Sequence, residues 1–210
     1  TTTDRSIELQ PLIRSVISAS EQVILPKADF DPSSSSRIFR VMASDYGETT
    51  LIPALLTQLV RKAPSIRLDI MTPSDVSFHD VERGKVDLVI NRFDTLPLSF
   101  HQSSLWEDGF SCVVNSKNPI RQLWNLDTYL KAKHVWVSKT GMGVGGQDNL
   151  IVTLPSKAAM QVSDDKRFAI LEPPFDIPKM QLKMLWSPLL QHDPGHKWLR
   201  QTIKTVSDIG

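Results

Sequence analysis

The chemistry available in this sequence is mostly that of small hydroxyls and amides placed at the ends of apolar runs. Ser44 follows RIFRVMA, Thr72 and Ser74 follow IRLDIM, Asn91 follows VDLVI, and Ser138 and Thr140 follow HVWV. If those runs are neighbouring parallel strands, these residues gather at the carboxyl ends, where open α/β sheets bind ligands. Hydroxyls beside helix N-termini in that position suit a carboxylate or another anion. The same residue types are favoured helix N-caps, and capping is compatible with binding. Trp136, Phe93, Phe100 and Phe175 are available as apolar walls, although an aromatic residue is more often plain core.

Other chemistries fare less well. GMGVGG (141–146) follows a strand, as a dinucleotide loop would. The segment after it reads as a strand ending in Pro155 and not as the helix that such a loop must open. His79, His101, His134, His192 and His196 sit in no nucleophile-elbow or metal-ligand spacing, and surface or capping roles are expected for them. No convergent acid/base pair stands out, so no enzyme, no cofactor and no metal are expected. Cys112, the single cysteine, lies in an apolar strand and reads as a small buried hydrophobe.

The elements that must position these residues are legible from periodicity. After residue 37 come a strand (37–44), a helix (49–64) with Leu51, Leu55, Leu59 and Val60 on one face, and a strand (66–72). A short helix (75–85) closed by Gly84 and an unbroken apolar run (86–91) follow, the latter as in a strand buried on both faces. This β-α-β-α-β order predicts a parallel sheet with right-handed crossovers. Strand regions at 103–115, 134–139, 149–155, 167–174 and 179–187 and helices at 121–132 and 192–208 complete the body. Ahead of it, residues 4–25 predict a helix with an apolar stripe including Ile13, Val16, Ile17 and Val23, interrupted by Pro11. A polar linker, DFDPSSSS (29–36), separates the two. A net charge of +1 from 24 basic and 23 acidic residues argues against nucleic-acid binding by these residues themselves. No apolar run reaches a membrane span, and the first ten residues lack the pattern of a secretory signal, so a cytoplasmic protein is expected.

Several segments in order resemble the effector-binding domain of LysR-type transcriptional regulators: FDPSSSSRIFRVMASDYGETTLIPALLTQLVRKAPSIRLDI (30–70), VERGKVDLVIN (81–91), NLIVTLPSKAAM (149–160) and MLWSPLLQHDPGHKWLRQTI (184–203). LWSPLLQHDPGHKWLR is similar to the subgroup that answers to aromatic acids, flavonoids and chlorinated or nitrated aromatics. The resemblance implies two parallel-sheet, Rossmann-like subdomains of periplasmic-binding-protein type. Two crossing strands would join them near Cys112–Ser116 and Lys183–Ser187. Subdomain I would be 37–112 plus 188–210, subdomain II 113–187, and 1–28 a dimerisation helix in which Ile13, Val16, Ile17 and Val23 pair between chains. A small aromatic effector would bind between the subdomains and touch Ser44, Asp45, Tyr46, Thr72, Ser74, Phe93, Ser138, Thr140 and Met142. Met142 departs from relatives that carry a polar residue there.

The resemblance further implies a homodimer or tetramer, operator DNA bound through a winged helix-turn-helix domain ahead of Thr1, and RNA polymerase as a further partner. The family's helix, strand and helix between GVGG (143–146) and NLIVTLP (149–155) are missing, so roughly 30 residues are expected to belong between 146 and 147. A transport solute-binding protein is the alternative. The apolar helix before the body speaks against it, because a solute-binding protein has no use for one.

Overall fold

The computed structural model describes residues 30–209 except 74–76, 94–98, 139–140 and 144–149, together with 5, 9, 10, 12–17 and 20; side chains are not described for 136–143 and 209. The join at 146–147, Ser74, Thr140 and Val23 therefore lie outside the described residues. The chain forms two compact units, Thr1–Trp106 with Gln181–Gly210 and Glu107–Met180. It passes between them at 106–107 and 180–181. Cys112–Val114 is paired on both sides within the second sheet.

The first unit is built on a sheet of order β2-β1-β3-β10-β4, with β1 Ile38–Ala43, β2 Arg67–Met71, β3 Leu88–Asn91, β4 His101–Asp108 and β10 Met180–Trp186. The first β-α-β-α-β is parallel as expected, whereas β10 joins β3 antiparallel, so the sheet is mixed. Period-two alternation sends Phe39, Val41, Leu88, Ile90, Leu182 and Met184 to one face. Met42, Val89 and Leu185 go to the other, against Val81 and Phe100. Both faces are covered, and each such side chain contributes roughly 1.5–3 kcal/mol when taken from water.

The helix expected at 49–64 is two helices, α1 Asp45–Thr50 and α2 Ile52–Lys62. Pro53 lacks the N–H that would continue α1, and its ring would press on the Thr49 carbonyl. It is tolerated in the first turn of α2 instead. Leu51, Leu55 and Leu59 are buried, but Val60, one residue further round, is 73% exposed. α3 Phe78–Glu82 starts on a Ser77/Asp80 capping box and is followed by Gly84 at φ +69°. The last helix, α6 Pro194–Ile209, lays Leu199, Ile203 and Val206 on the sheet.

The amino ends of β1 and β3 are locked to α6 by a polar network around the buried His196. Arg37 bridges Asp193 (2.6 Å) and Asp87 (3.6 Å). Asp87 accepts the Arg40 N–H (2.8 Å) and Asp193 accepts that of His196 (2.6 Å). His196, expected at the surface, is fully buried. Its Nε2 lies 2.8 Å from the Asp87 carbonyl, and its Nδ1 meets the Arg200 guanidinium. A carbonyl only accepts and a guanidinium only donates, so the ring is the neutral Nε2–H tautomer. Burial first, then the charges of Arg200 and Arg37, push its pKa down to about 4 against the Asp87 carbonyl and Asp193.

The second unit carries the order β7-β6-β8-β5-β9, with β5 Phe110–Asn115, β6 Lys133–Ser138, β7 Gly141–Gly143, β8 Leu150–Pro155 and β9 Phe168–Leu171. It is mixed rather than parallel: only β6 and β8 run parallel, and β5 is flanked antiparallel by β8 and β9. The strand region expected at 103–115 is thus β4 and β5, which break at Gly109 and belong to different sheets. Two short helices, α4 Leu126–Lys131 and α5 Ser156–Ala159, accompany this sheet. Cys112, Val114 and Ile151 form its small core, with Trp124 and Tyr129 packed on it. Burial pushes the Cys112 thiol pKa up, as fits an inert core residue.

Residues 5, 9, 10, 12–17 and 20 are helical. Leu12, Ile13, Val16 and Ile17 are each more than half exposed in the single chain.

Candidate functional site at the strand ends

Register places the candidate residues of the first unit together. Met42 pairs with Met71 and Ala43 with Ile90. The next residues along β1 and β3, Ser44 and Asn91, therefore emerge side by side, and Thr72 emerges next to them beyond β2. Neighbouring strands are roughly 4.8 Å apart, so these three positions span one ligand-sized rim.

Ser44 is held from two directions. Its N–H donates to the Ile90 carbonyl (3.1 Å), and its Oγ caps α1 by accepting the Gly47 N–H (3.3 Å). Gly47 fits tightly: a Cβ there would come within 3.1 Å of Ile90 Cγ2, which would have to give by a few tenths of an ångström. That close approach seats α1 on β3. Asp45 is exposed in the first turn of α1. Tyr46 is half-buried and accepts the Trp106 Nε1–H at 2.8 Å, the rings meeting edge-on at 6.3 Å. Asn91 turns its Oδ1 onto the Arg92 N–H (2.8 Å). Thr72 is exposed and Phe93 half-buried, packed on the Met42–Val89–Phe100 cluster.

In the second unit, Ser138 ends β6 opposite Gly141, and Met142 lies in β7 opposite Val137. The glycine run at 141–143 is therefore a strand in a hairpin and not a phosphate loop. Of the aromatic candidates, Phe100 is core and Phe175 is 39% exposed, meeting Tyr129 edge-on. Sequence reasoning missed Gly47 and Trp106. Trp106 lies 60 residues from Tyr46 in the chain, and no local signal joins them.

Other places are poorer sites. A groove of about 190 Å³ between α2 and α6 is lined by Gln58, Lys62, Trp198 and neighbours. The hydroxyls of Thr202 and Thr205 in it are bonded to carbonyls of α6 itself, so it is a seam between helices and lies away from the strand ends. Among the described residues, no three His, Cys, Asp or Glu side chains are placed to hold a metal ion. None of the described helices is long and apolar enough to cross a membrane.

A covered α/β sheet with hydroxyls at its carboxyl rim is followed by a second sheet unit on the same chain. Residues 32–140 match the LysR substrate binding domain, and the chain belongs to that family. It is 23% identical over 196 residues to the HTH-type transcriptional regulator SyrM of Rhizobium etli, covering 79% of this chain and 58% of that protein. The chain thus spans about three-fifths of the length of such relatives. Its fold is that of the regulatory domain of MexT, a transcriptional activator in Pseudomonas aeruginosa (TM-score 0.69, 21% identity, covering 82% of this chain and 99% of the other). It is also that of the BenM effector binding domain with its effector benzoate (TM-score 0.63, 10% identity, covering 84% and 94%). Family membership favours a regulator over the transport solute-binding protein and over an enzyme.

Proposed function

We propose that this chain is the effector-sensing and oligomerisation part of a LysR-type transcriptional regulator, and that its effector is a small aromatic compound bearing a carboxylate or phenolic oxygen. The observation that carries the reading is the shared rim of Ser44, Asn91 and Thr72, fixed by the parallel register of β1, β2 and β3. The half-buried Phe93 beside it supplies an apolar wall. Benzoate as the effector of a domain with the same fold supports the ligand class.

Effector binding acts by population shift. A ligand that binds one arrangement of the regulator more tightly than another favours that arrangement by its differential affinity alone. The readout is operator DNA, contacted by a winged helix-turn-helix domain of the longer protein. Residues 5–20 and their neighbours pair two chains through Ile13, Val16, Ile17 and Val23, and pairs of dimers make a tetramer. RNA polymerase is the downstream partner and the cytoplasm the compartment. Ser138, Thr140, Met142 and Ser74 complete the effector contacts.

Calorimetry with benzoates, salicylates and chlorophenols tests the ligand class. Ser44→Ala and Thr72→Ala should each weaken binding by about 1–3 kcal/mol, the worth of a buried hydrogen bond to a charged or polar group. No binding of any of these compounds at millimolar concentration refutes it.

A further inference from the structure

We infer that residues 30–37, a polar linker by composition, form an anchored strap that fixes where the chain enters the first unit. Such a strap goes beyond the effector sensing proposed above and holds with or without an effector. Both of its ends are seated against the start of α6, and the turn between them is closed on itself.

At the first end, the Phe30 ring packs on Trp198, with centroids 5.5 Å apart, and adds to the core of the first unit. At the other end, Arg37 bridges Asp193 and Asp87, and its guanidinium lies 4.6 Å over the Phe39 ring. Gly195, in the first turn of α6, passes beneath both ends. A Cβ there would stand 2.7 Å from Arg37 Nη1 and 2.9 Å from Phe30 Cε2. The tip of Arg37 could swing aside, but the Phe30 ring could not move without leaving its seat on Trp198.

Between the ends, Asp31 accepts the Ser33 N–H (2.9 Å) and the hydroxyls of Ser33 (2.8 Å) and Ser34 (2.7 Å). The Ser35 N–H returns to the Asp31 carbonyl (3.2 Å), and the Arg37 N–H donates to Ser35 Oγ (3.3 Å). Serine-rich runs make flexible linkers when their donors face water. Here the donors are spent on an Asp-centred turn, and the backbone is held. A turn this short does not persist without its anchors, because its few exposed bonds do not offset the entropy of ordering it. Arg37 also ties the strap to Asp87, the residue before β3, whose other end is Asn91 at the rim. Where the effector reading holds, the strap is the joint by which a shift of β3 reaches the segment ahead of Phe30.

The test is amide hydrogen exchange, read by NMR on the 210-residue chain. In the wild type the Ser33, Ser35 and Arg37 amides should exchange at least about tenfold more slowly than in an unstructured chain. Gly195→Ala and Phe30→Ala should each return Ser33 and Ser35 to within about threefold of the unstructured rate, with β1, β2 and β3 still protected. Alanine is a better helix former than glycine, so a strap loosened by Gly195→Ala does not reflect a weaker α6. Asp31→Ala touches an exposed residue outside the core and keeps the test open if Phe30→Ala fails to fold. It should free the Ser33 amide to the same extent. Wild-type amides that exchange at the unstructured rate overturn the inference. So do variants that leave the strap protected, or that loosen β1, β2 and β3 as much as the strap. No ligand enters these measurements, so their failure leaves the effector reading standing, and a chain that binds no benzoate leaves the strap standing.

Discussion

His196 gives this domain a defined response to acid. Protonating it would put a charge in a fully buried site, beside Arg200 and Arg37, and would set a new N–H against the guanidinium that now donates to Nδ1. Its pKa is about 4 in the folded chain, against an ordinary value of about 6.5 once unfolded. Because the folded value is the lower one, the unfolded chain takes up more protons between these limits. Stability is then complete above about pH 6.5 and falls as the pH drops toward 4. Between pH 7.5 and 5 the loss comes to about 2 kcal/mol.

Two neighbours also titrate. Burial raises the Asp87 carboxyl despite the Arg40 N–H and Arg37, and a raised acid favours the folded form as pH falls, opposing the histidine. His101, lowered first by partial burial and then by Arg200 and His192, adds in the same sense as His196. Both remain in His196→Gln, whose side-chain amide can still donate to the Asp87 carbonyl, so the variant isolates the one group. Urea unfolding at pH 7.5 and pH 5 should show the wild type losing about 2 kcal/mol and the variant less than half of that. Equal losses in the two proteins refute the reasoning.

Ile17 is 52% exposed in the single chain; Ile17→Glu should shift dimer to monomer in analytical ultracentrifugation, since each paired side chain contributes roughly 1.5–3 kcal/mol. A wild-type chain that is monomeric at tens of micromolar contradicts the pairing. Gly84 takes a left-handed conformation with open space around it, so Gly84→Ala should cost about 1–2 kcal/mol in unfolding free energy from backbone strain alone. Gly47→Ala brings a methyl within 3.1 Å of Ile90; it should lower stability by about 1–3 kcal/mol and weaken benzoate binding by displacing the first turn of α1.

The sequence by itself determined what local periodicity and capping chemistry can carry. The alternation in 37–44, the two-sided apolar run in 86–91, the Gly84 stop and the hydroxyls after each run specified the parallel core β1-β2-β3 and its polar rim. The family was legible from the order of several segments, no one of which would have sufficed. The N-terminal stripe at Ile13, Val16 and Ile17 was legible as an apolar face, and these side chains are more than half exposed in the single chain.

Tertiary structure decided the rest, because strand partners and burial are set by residues far away in the chain. Nothing local in 103–115 says that it is two strands of different sheets, or that Cys112–Val114 pairs on both sides. Nothing in MQLKMLW says that β10 runs antiparallel to β3. His196 reads as a helix-start residue until the Asp87 carbonyl, 109 positions earlier, and Arg200 close over it. Tyr46 and Trp106 meet only because α1 and β4 pack on one core. A side chain's period chooses its face, but the free energy of that face depends on what the fold lays against it.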